Sequence, residues 1–113
     1  MTRREFATAL AALLAGGSLA WPAARAADQP ASQIVIDNFA FAPKSLTVKA
    51  GTTVVWINRD EEPHTVVYSG AARLFKSKPL DTNDSFSFRF AQPGTYKYYC
   101  SVHPHMTGVV IVQ

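Results

Sequence analysis

Ser85-Phe86-Ser87-Phe88-Arg89-Phe90, then Ala91-Gln92-Pro93-Gly94, then Thr95-Tyr96-Lys97-Tyr98-Tyr99-Cys100 reads as two strands joined by a turn. The first six residues alternate strictly, so all three phenylalanines fall on one face of an extended chain. Pro93-Gly94 punctuates that run. In the second strand Tyr96, Tyr98 and Cys100 share a face and Lys97 takes the other. A lysine goes to water, so Cys100 is expected to point inward. The segment predicts a half-buried sheet and a buried sulfur at a strand end.

The same reading extends in both directions. Ile34-Val35-Ile36 is a short apolar run ended by Asp37-Asn38, and Ser45-Leu46-Thr47-Val48-Lys49 alternates before the turn at Ala50-Gly51. Thr52 to Asn58 is β-branched and aromatic, His64 to Tyr68 follows Pro63, and Val109-Val110-Ile111-Val112 closes the chain. Residues 69–80 are irregular and carry Arg73, Lys76 and Lys78, expected on the surface. Short β-rich runs separated by Gly, Pro, Asn and Asp, with no helical periodicity, predict an all-β antiparallel sandwich or Greek-key barrel of about seven to eight strands.

Beyond the second strand, Cys100-Ser101-Val102-His103-Pro104-His105-Met106 brings a thiol, two imidazoles and a thioether onto one short loop. These are soft donors, which favour copper over magnesium or calcium, with zinc as a competitor in a binding assay. An electron-transfer copper site takes one Cys and two His in a trigonal plane and a weak axial Met. Cys100, His103 and Met106 can share an ion from this loop. The second imidazole must come from His105 or from His64, behind Pro63. Singly, each residue has a plainer explanation: a free Cys packs as a small hydrophobe, a Met fills a core, and a loop His is solvated. Together they form a ligand set with no member missing. Three His in the whole chain are too few for a second copper with an open position, which excludes a copper oxidase or reductase. An electron shuttle, a copper-delivery protein and a metal-free secreted sandwich remain, and the last leaves Cys100 unexplained.

These motifs resemble, in order, the blue-copper cupredoxin family. Trp56-Ile57-Asn58-Arg59 leads to Pro63-His64, Gly94-Thr95-Tyr96 leads to Tyr99-Cys100, and His103-Pro104 and Met106 precede Gly108-Val109-Val110. The Cys-x2-His-x2-Met spacing is similar to the short-loop amicyanin branch, and the resemblance covers residues 33–113. It implies a cupredoxin-like Greek-key fold with one type 1 copper. It implies that His64, Cys100 and His103 are equatorial ligands and Met106 the axial one. It also implies single-electron transfer with redox partner proteins that dock transiently near His103 and Pro104. An aromatic shell of Phe39, Phe41, Phe86, Phe88, Phe90 and Tyr98 is expected to keep water off the ion. Two positions depart from the family pattern. Thr65 stands where an Asn often ties the two ligand loops together, and a hydroxyl has less reach. His105 stands where an apolar residue is usual.

The first quarter of the chain is of a different kind. Arg3-Arg4-Glu5-Phe6, the uncharged Ala- and Leu-rich stretch from Ala7 to Ala20, and Ala24-Arg25-Ala26 have the layout of an export signal, twin-arginine-like or plainly secretory. Residues 1–26 are therefore expected to be a signal peptide and residues 27–113 a copper-binding domain of the periplasm. Its apolar part is too short to anchor a membrane. The formal net charge of +3 rests largely on the signal arginines, so nothing here suggests a nucleic-acid partner. A single Cys in an oxidising compartment has no internal disulfide partner. A domain of this size buries only roughly 60–65% of its extended-chain surface, so a metal staple is useful. The domain is expected to be a monomer.

Overall fold

The computed structural model describes residues 32–113; the expected signal peptide and its cleavage site lie outside them. Eight strands are present in the described residues: β1 Ser32–Asp37, β2 Ala40–Ala42, β3 Ser45–Val48, β4 Thr52–Asn58, β5 Val67–Tyr68, β6 Ser85–Phe90, β7 Gly94–Tyr99 and β8 Thr107–Val112. They form two four-stranded sheets, ordered β2-β1-β4-β6 and β3-β8-β7-β5. The expected all-β sandwich is what the structure shows.

Alternation of apolar side chains builds the core, as expected of half-buried strands. Ile34 and Ile36 of β1, Val54 and Trp56 of β4, Phe90 of β6, Tyr98 of β7 and Val110 of β8 are almost completely buried. Trp56 sits at the centre of the aromatic cluster, against Phe75, Phe86, Phe90 and Tyr98 at ring-centroid distances of 5.3–6.3 Å. Burying aromatic rings of this size is a dominant stabilising contribution in so small a domain.

Four features differ from the sequence reading. The sheets are mixed rather than purely antiparallel, because β1 pairs with β4 and β3 with β8 in parallel. Pairing direction is a long-range choice that strand patterns do not encode. The opening segment's two strands, β6 and β7, enter opposite sheets, so the turn between them is a corner of the sandwich. A short strand, β2, was not expected; Asn38 and Phe39 both adopt positive φ (53° and 57°) in the two-residue turn that pairs it with β1, as the twist of such hairpins requires. Finally, the run from His64 to Tyr68 is a strand only at Val67–Tyr68. His64 instead makes an isolated bridge with Leu80, exchanging backbone hydrogen bonds of 3.2 and 2.8 Å. Pro79 has no N–H to continue that ladder.

The loop from residue 69 to 80 exposes Arg73, Lys76 and Lys78, as expected, but it also drives Phe75 and Leu80 into the core. It is therefore a packed wall beside the ligand loops.

Candidate metal centre

Three elements converge on one end of the sandwich. The segment after β4 delivers His64, the end of β7 delivers Cys100, and the loop into β8 delivers His103 and Met106. His64 and Cys100 are fully buried, Met106 is 3% exposed and His103 is half-buried. One ligand atom each from His64, Cys100 and His103 lies within 4.8 Å of the others. The Nδ1 of His64 is 3.8 Å from the Cys100 sulfur, and that of His103 is 3.9 Å away. His105 is exposed and outside this group; of the two histidines that could supply the second imidazole, the structure brings His64 to the sulfur.

The Cys100 loop is fixed by its own backbone. The Cys100 N–H donates to the Met106 carbonyl at 3.0 Å and the Met106 N–H donates to the His103 carbonyl at 2.8 Å. Residues 100 and 106 thus share a closed loop that carries three of the four candidate ligands. Pro104 at the loop's tip fixes its own φ and restricts His103.

His64 is held by chemistry that the sequence reading did not find. Its Nε2 donates to the Asp60 carboxylate at 2.8 Å, which leaves Nδ1 as the lone-pair nitrogen facing the sulfur. The other contacts of the Asp60 carboxylate are the backbone N–H groups of Asn38 and Phe39, at 2.7 and 2.9 Å. One carboxylate therefore joins the His64 imidazole to the β1–β2 turn. That turn sets the Phe39 ring edge-on to both imidazoles, 5.4 Å from His64 and 5.1 Å from His103. Burial raises the Asp60 pKa, but the hydrogen bonds from Phe39, His64 and Asn38 outweigh it and leave the carboxyl below its ordinary value.

Asn58 organises the loop that precedes His64. It is fully buried on the inward face of β4, its amide nitrogen donates to the Glu62 and Leu80 carbonyls, and its side-chain oxygen accepts from the Asp60 N–H. Its parity with Val54 and Trp56 makes it an inward polar residue at a strand end, a signal legible in the sequence. Asp60 has no such mark, since Glu61 and Glu62 beside it look equivalent.

Thr65 ties the two ligand segments together despite its short reach. Its Oγ1 accepts from the Ser101 N–H at 2.7 Å and bonds the Ser101 hydroxyl at 2.8 Å, while its backbone N–H points at the Cys100 sulfur from 3.4 Å. Burial pushes the Cys100 thiol up. The Thr65 N–H, the imidazoles of His64 and His103 and the His103 backbone together override that and bring its pKa down to about 6. A buried sulfur held toward its thiolate form, with an imidazole nitrogen from each of two histidines facing it, suits a soft metal cation.

The expected aromatic shell is only partly a metal shell. Phe39 packs on the imidazoles, and Phe41 packs on Tyr98. Phe86, Phe88 and Phe90 instead gather round Trp56 and Phe75. Their alternation directs them to the sandwich interior, and it cannot say which end of that interior they reach.

Residues 7–112 match the family described as Cupredoxin-like domain. Amicyanin-alpha of Methylorubrum extorquens is 36% identical to this chain, with all of both chains covered. Two solved structures superpose closely. A novel purple cupredoxin from Nitrosopumilus maritimus is 38% identical with a TM-score of 0.69, covering 73% of this chain and 99% of its own. A Cu(I) structure of an amicyanin variant is 32% identical with a TM-score of 0.70, covering 78% and 89%.

Proposed function

The chain belongs to the cupredoxin family, and from that premise we propose that it is an exported blue-copper electron carrier. His64, Cys100, His103 and Met106 would hold one type 1 copper, and the protein would pass single electrons between redox partners in the periplasm. The observation that carries this reading is the convergence of two imidazole nitrogens on one buried thiolate, with a buried Met at the end of the same loop. The donor chemistry fits the cation: soft sulfur, borderline nitrogen, and no carboxylate in the set.

Bound copper supplies a one-electron couple. Everything else is the work of the chain. The β-sandwich places the donors, Asp60 fixes the His64 ring, Thr65 with Ser101 locks the two segments, and Phe39 covers the imidazoles. Donors held on both sides have little freedom to move when charge changes, which keeps the reorganisation small. Cupredoxins such as amicyanin are carriers rather than enzymes. Half-buried His103, with exposed Val102 and Pro104 beside it, supports partner docking at this loop over a small, readily released area. Among the described residues no helix is long and apolar enough to cross a membrane. The expected signal peptide at residues 1–26 supports periplasmic location.

The test is to load the purified protein with Cu(II) and record its absorption and voltammetry. An intense blue thiolate-to-copper band with a reversible one-electron wave is expected, and Cys100→Ala abolishes both. A protein that stays colourless but retains Cu(I) overturns the carrier reading in favour of copper delivery.

A further inference from the structure

Hydrogen bonds close in the candidate donors on several sides. His64 and Cys100 are fully buried and Met106 is 3% exposed. His64 exchanges two backbone bonds with Leu80, and Thr65 makes two bonds to Ser101. The Cys100 loop is tied across itself by two more, from Cys100 to Met106 and from Met106 to His103. Opening any of these sides breaks a pair of hydrogen bonds.

The cover over the imidazoles is of another kind. The Phe39 ring lies edge-on to both His64 and His103 and has no polar atom to bond. Phe39 is 45% exposed, so the ring has solvent beside it and can turn outward about its own side-chain bonds. That motion breaks no hydrogen bond. The backbone stays in place meanwhile, because the Asp60 carboxylate holds the N–H groups of Asn38 and Phe39.

The turn marks the same residue independently. Asn38 and Phe39 are the two loop residues between β1 and β2, with φ of 53° and 57°. Two-residue hairpin loops of this hand favour Asn first and Gly second, because glycine enters the left-handed region without steric cost. Asn38 follows that preference and Phe39 does not. A bulky side chain kept in a disfavoured backbone region points to a use for that side chain. Here the ring so placed is the one over the donors.

We propose that Phe39 is the gate of the metal centre: a cation reaches or leaves the buried donors when this ring swings off the His64 and His103 imidazoles. The proposal deepens the copper reading and rests on it. The gap that opens lies between two imidazoles whose Nδ1 atoms are 3.8 and 3.9 Å from the Cys100 sulfur. Exchange through such a gate scales with the fraction of molecules that are open. Minor states of this kind hold roughly 0.1–10% of a population, so deleting the ring raises the exchange rate about ten-fold or more.

The first experiment needs no copper. Iodoacetamide alkylates Cys100 of the metal-free protein and releases iodide, at a pH above the ordinary thiol range so that ionisation is complete in every variant. Phe39→Ala and Phe39→Gly are both expected to react about ten-fold faster than wild type or more, and Phe39→Tyr, which keeps a ring, within about two-fold. Glycine relieves the left-handed backbone and alanine does not, so the two ring-deleted variants differ in stability but share the faster rate. Phe88→Ala deletes a ring that packs on Phe75 and Phe90, and serves as the control. Rates are extrapolated to zero urea, since a ring swing exposes little surface and global unfolding exposes much. After that extrapolation Phe88→Ala is expected to match wild type.

The second experiment mixes the same metal-free proteins with Cu(II) and follows uptake by stopped-flow absorption; loss of Cu(I) to excess bicinchoninate gives the reverse rate. Both are expected to rise with alkylation in Phe39→Ala and Phe39→Gly. Rates of Phe39→Ala within about two-fold of wild type, equal acceleration in Phe88→Ala, or rates that follow unfolding midpoints instead of the ring each overturn the proposal. Faster alkylation with unchanged copper exchange overturns it too. A wild-type protein that takes up no copper sinks the copper reading, and the alkylation series still decides whether Phe39 gates the donors.

Discussion

Replacing Asp60 with Ala tests the link between the β1–β2 turn and the candidate metal centre. In the folded protein its carboxylate accepts from Asn38 N–H, Phe39 N–H and His64 Nε2, at 2.7, 2.9 and 2.8 Å. Hydrogen bonds to a charged group contribute about 1.5–3 kcal/mol each in mutational series. The two turn bonds are exposed, so water recovers much of their loss. The His64 bond lies deeper and is recovered less. Against this, Asn38 and Phe39 sit in the left-handed region, which costs non-glycine residues roughly 1–2 kcal/mol each and is tolerated where neighbouring contacts hold it. The net expectation is a loss of about 2–4 kcal/mol from the metal-free protein, which for a domain of this size lowers Tm by roughly 10–25 °C. Urea unfolding of metal-free Asp60→Ala measures it. Asp60→Asn keeps one acceptor but loses the charge and presents donors to donors, so it falls between wild type and Ala. A second readout separates positioning from bulk stability. Without an anion behind His64 the more oxidised, more positive state of the centre is less favoured, so the reduction potential rises. A loss under about 0.5 kcal/mol together with an unchanged potential refutes the reasoning, since the clamp would then hold nothing.

Three further outcomes follow from the geometry. Metal-free Cys100 has a pKa of about 6 when folded and an ordinary thiol value near 8.5 when unfolded. Its contribution is therefore fully present above the unfolded value and is lost as pH falls through about 6; unfolding free energy rises with pH in that window by up to about 1.4 kcal/mol per unit, and Cys100→Ala flattens the profile. Gly108 lies directly under the Tyr98 ring, where an added Cβ would collide with the phenol. Gly108→Ala is expected to cost about 1–3 kcal/mol through overpacking, and thermal unfolding of Gly108→Ala/Tyr98→Leu, which removes the obstacle, shows a smaller added penalty. Thr65→Val preserves shape and the backbone N–H to the sulfur but leaves the Ser101 N–H and hydroxyl without their bonds to Oγ1. It is expected to cost about 1–2 kcal/mol in chemical unfolding and to hasten copper loss to a chelator.

Strand positions and their faces were legible because side-chain alternation is local. The inward sulfur of Cys100 was deducible from Lys97 three residues before it, and the Cys-His-Met loop from spacing that one short segment must satisfy. Thr65 shows where local reading falls short. Its hydroxyl has little reach, yet it bridges the ligand segments because the fold brings Ser101 to it. Asp60 was hidden among three consecutive acidic residues, and only the turn at Asn38 and Phe39, distant in sequence, singles it out.

The linear order of residues thus specified most of the strands, the donor chemistry and three ligands on one loop, since each depends on neighbours a few positions apart. Which histidine completes the set, which phenylalanine covers it and which strands run parallel depend on contacts between segments twenty or more residues apart, and so do the bonds from the Asn38–Phe39 turn that single out Asp60 as the carboxylate behind His64. Those contacts exist only after the two sheets close on Trp56, and so the packed fold decided them.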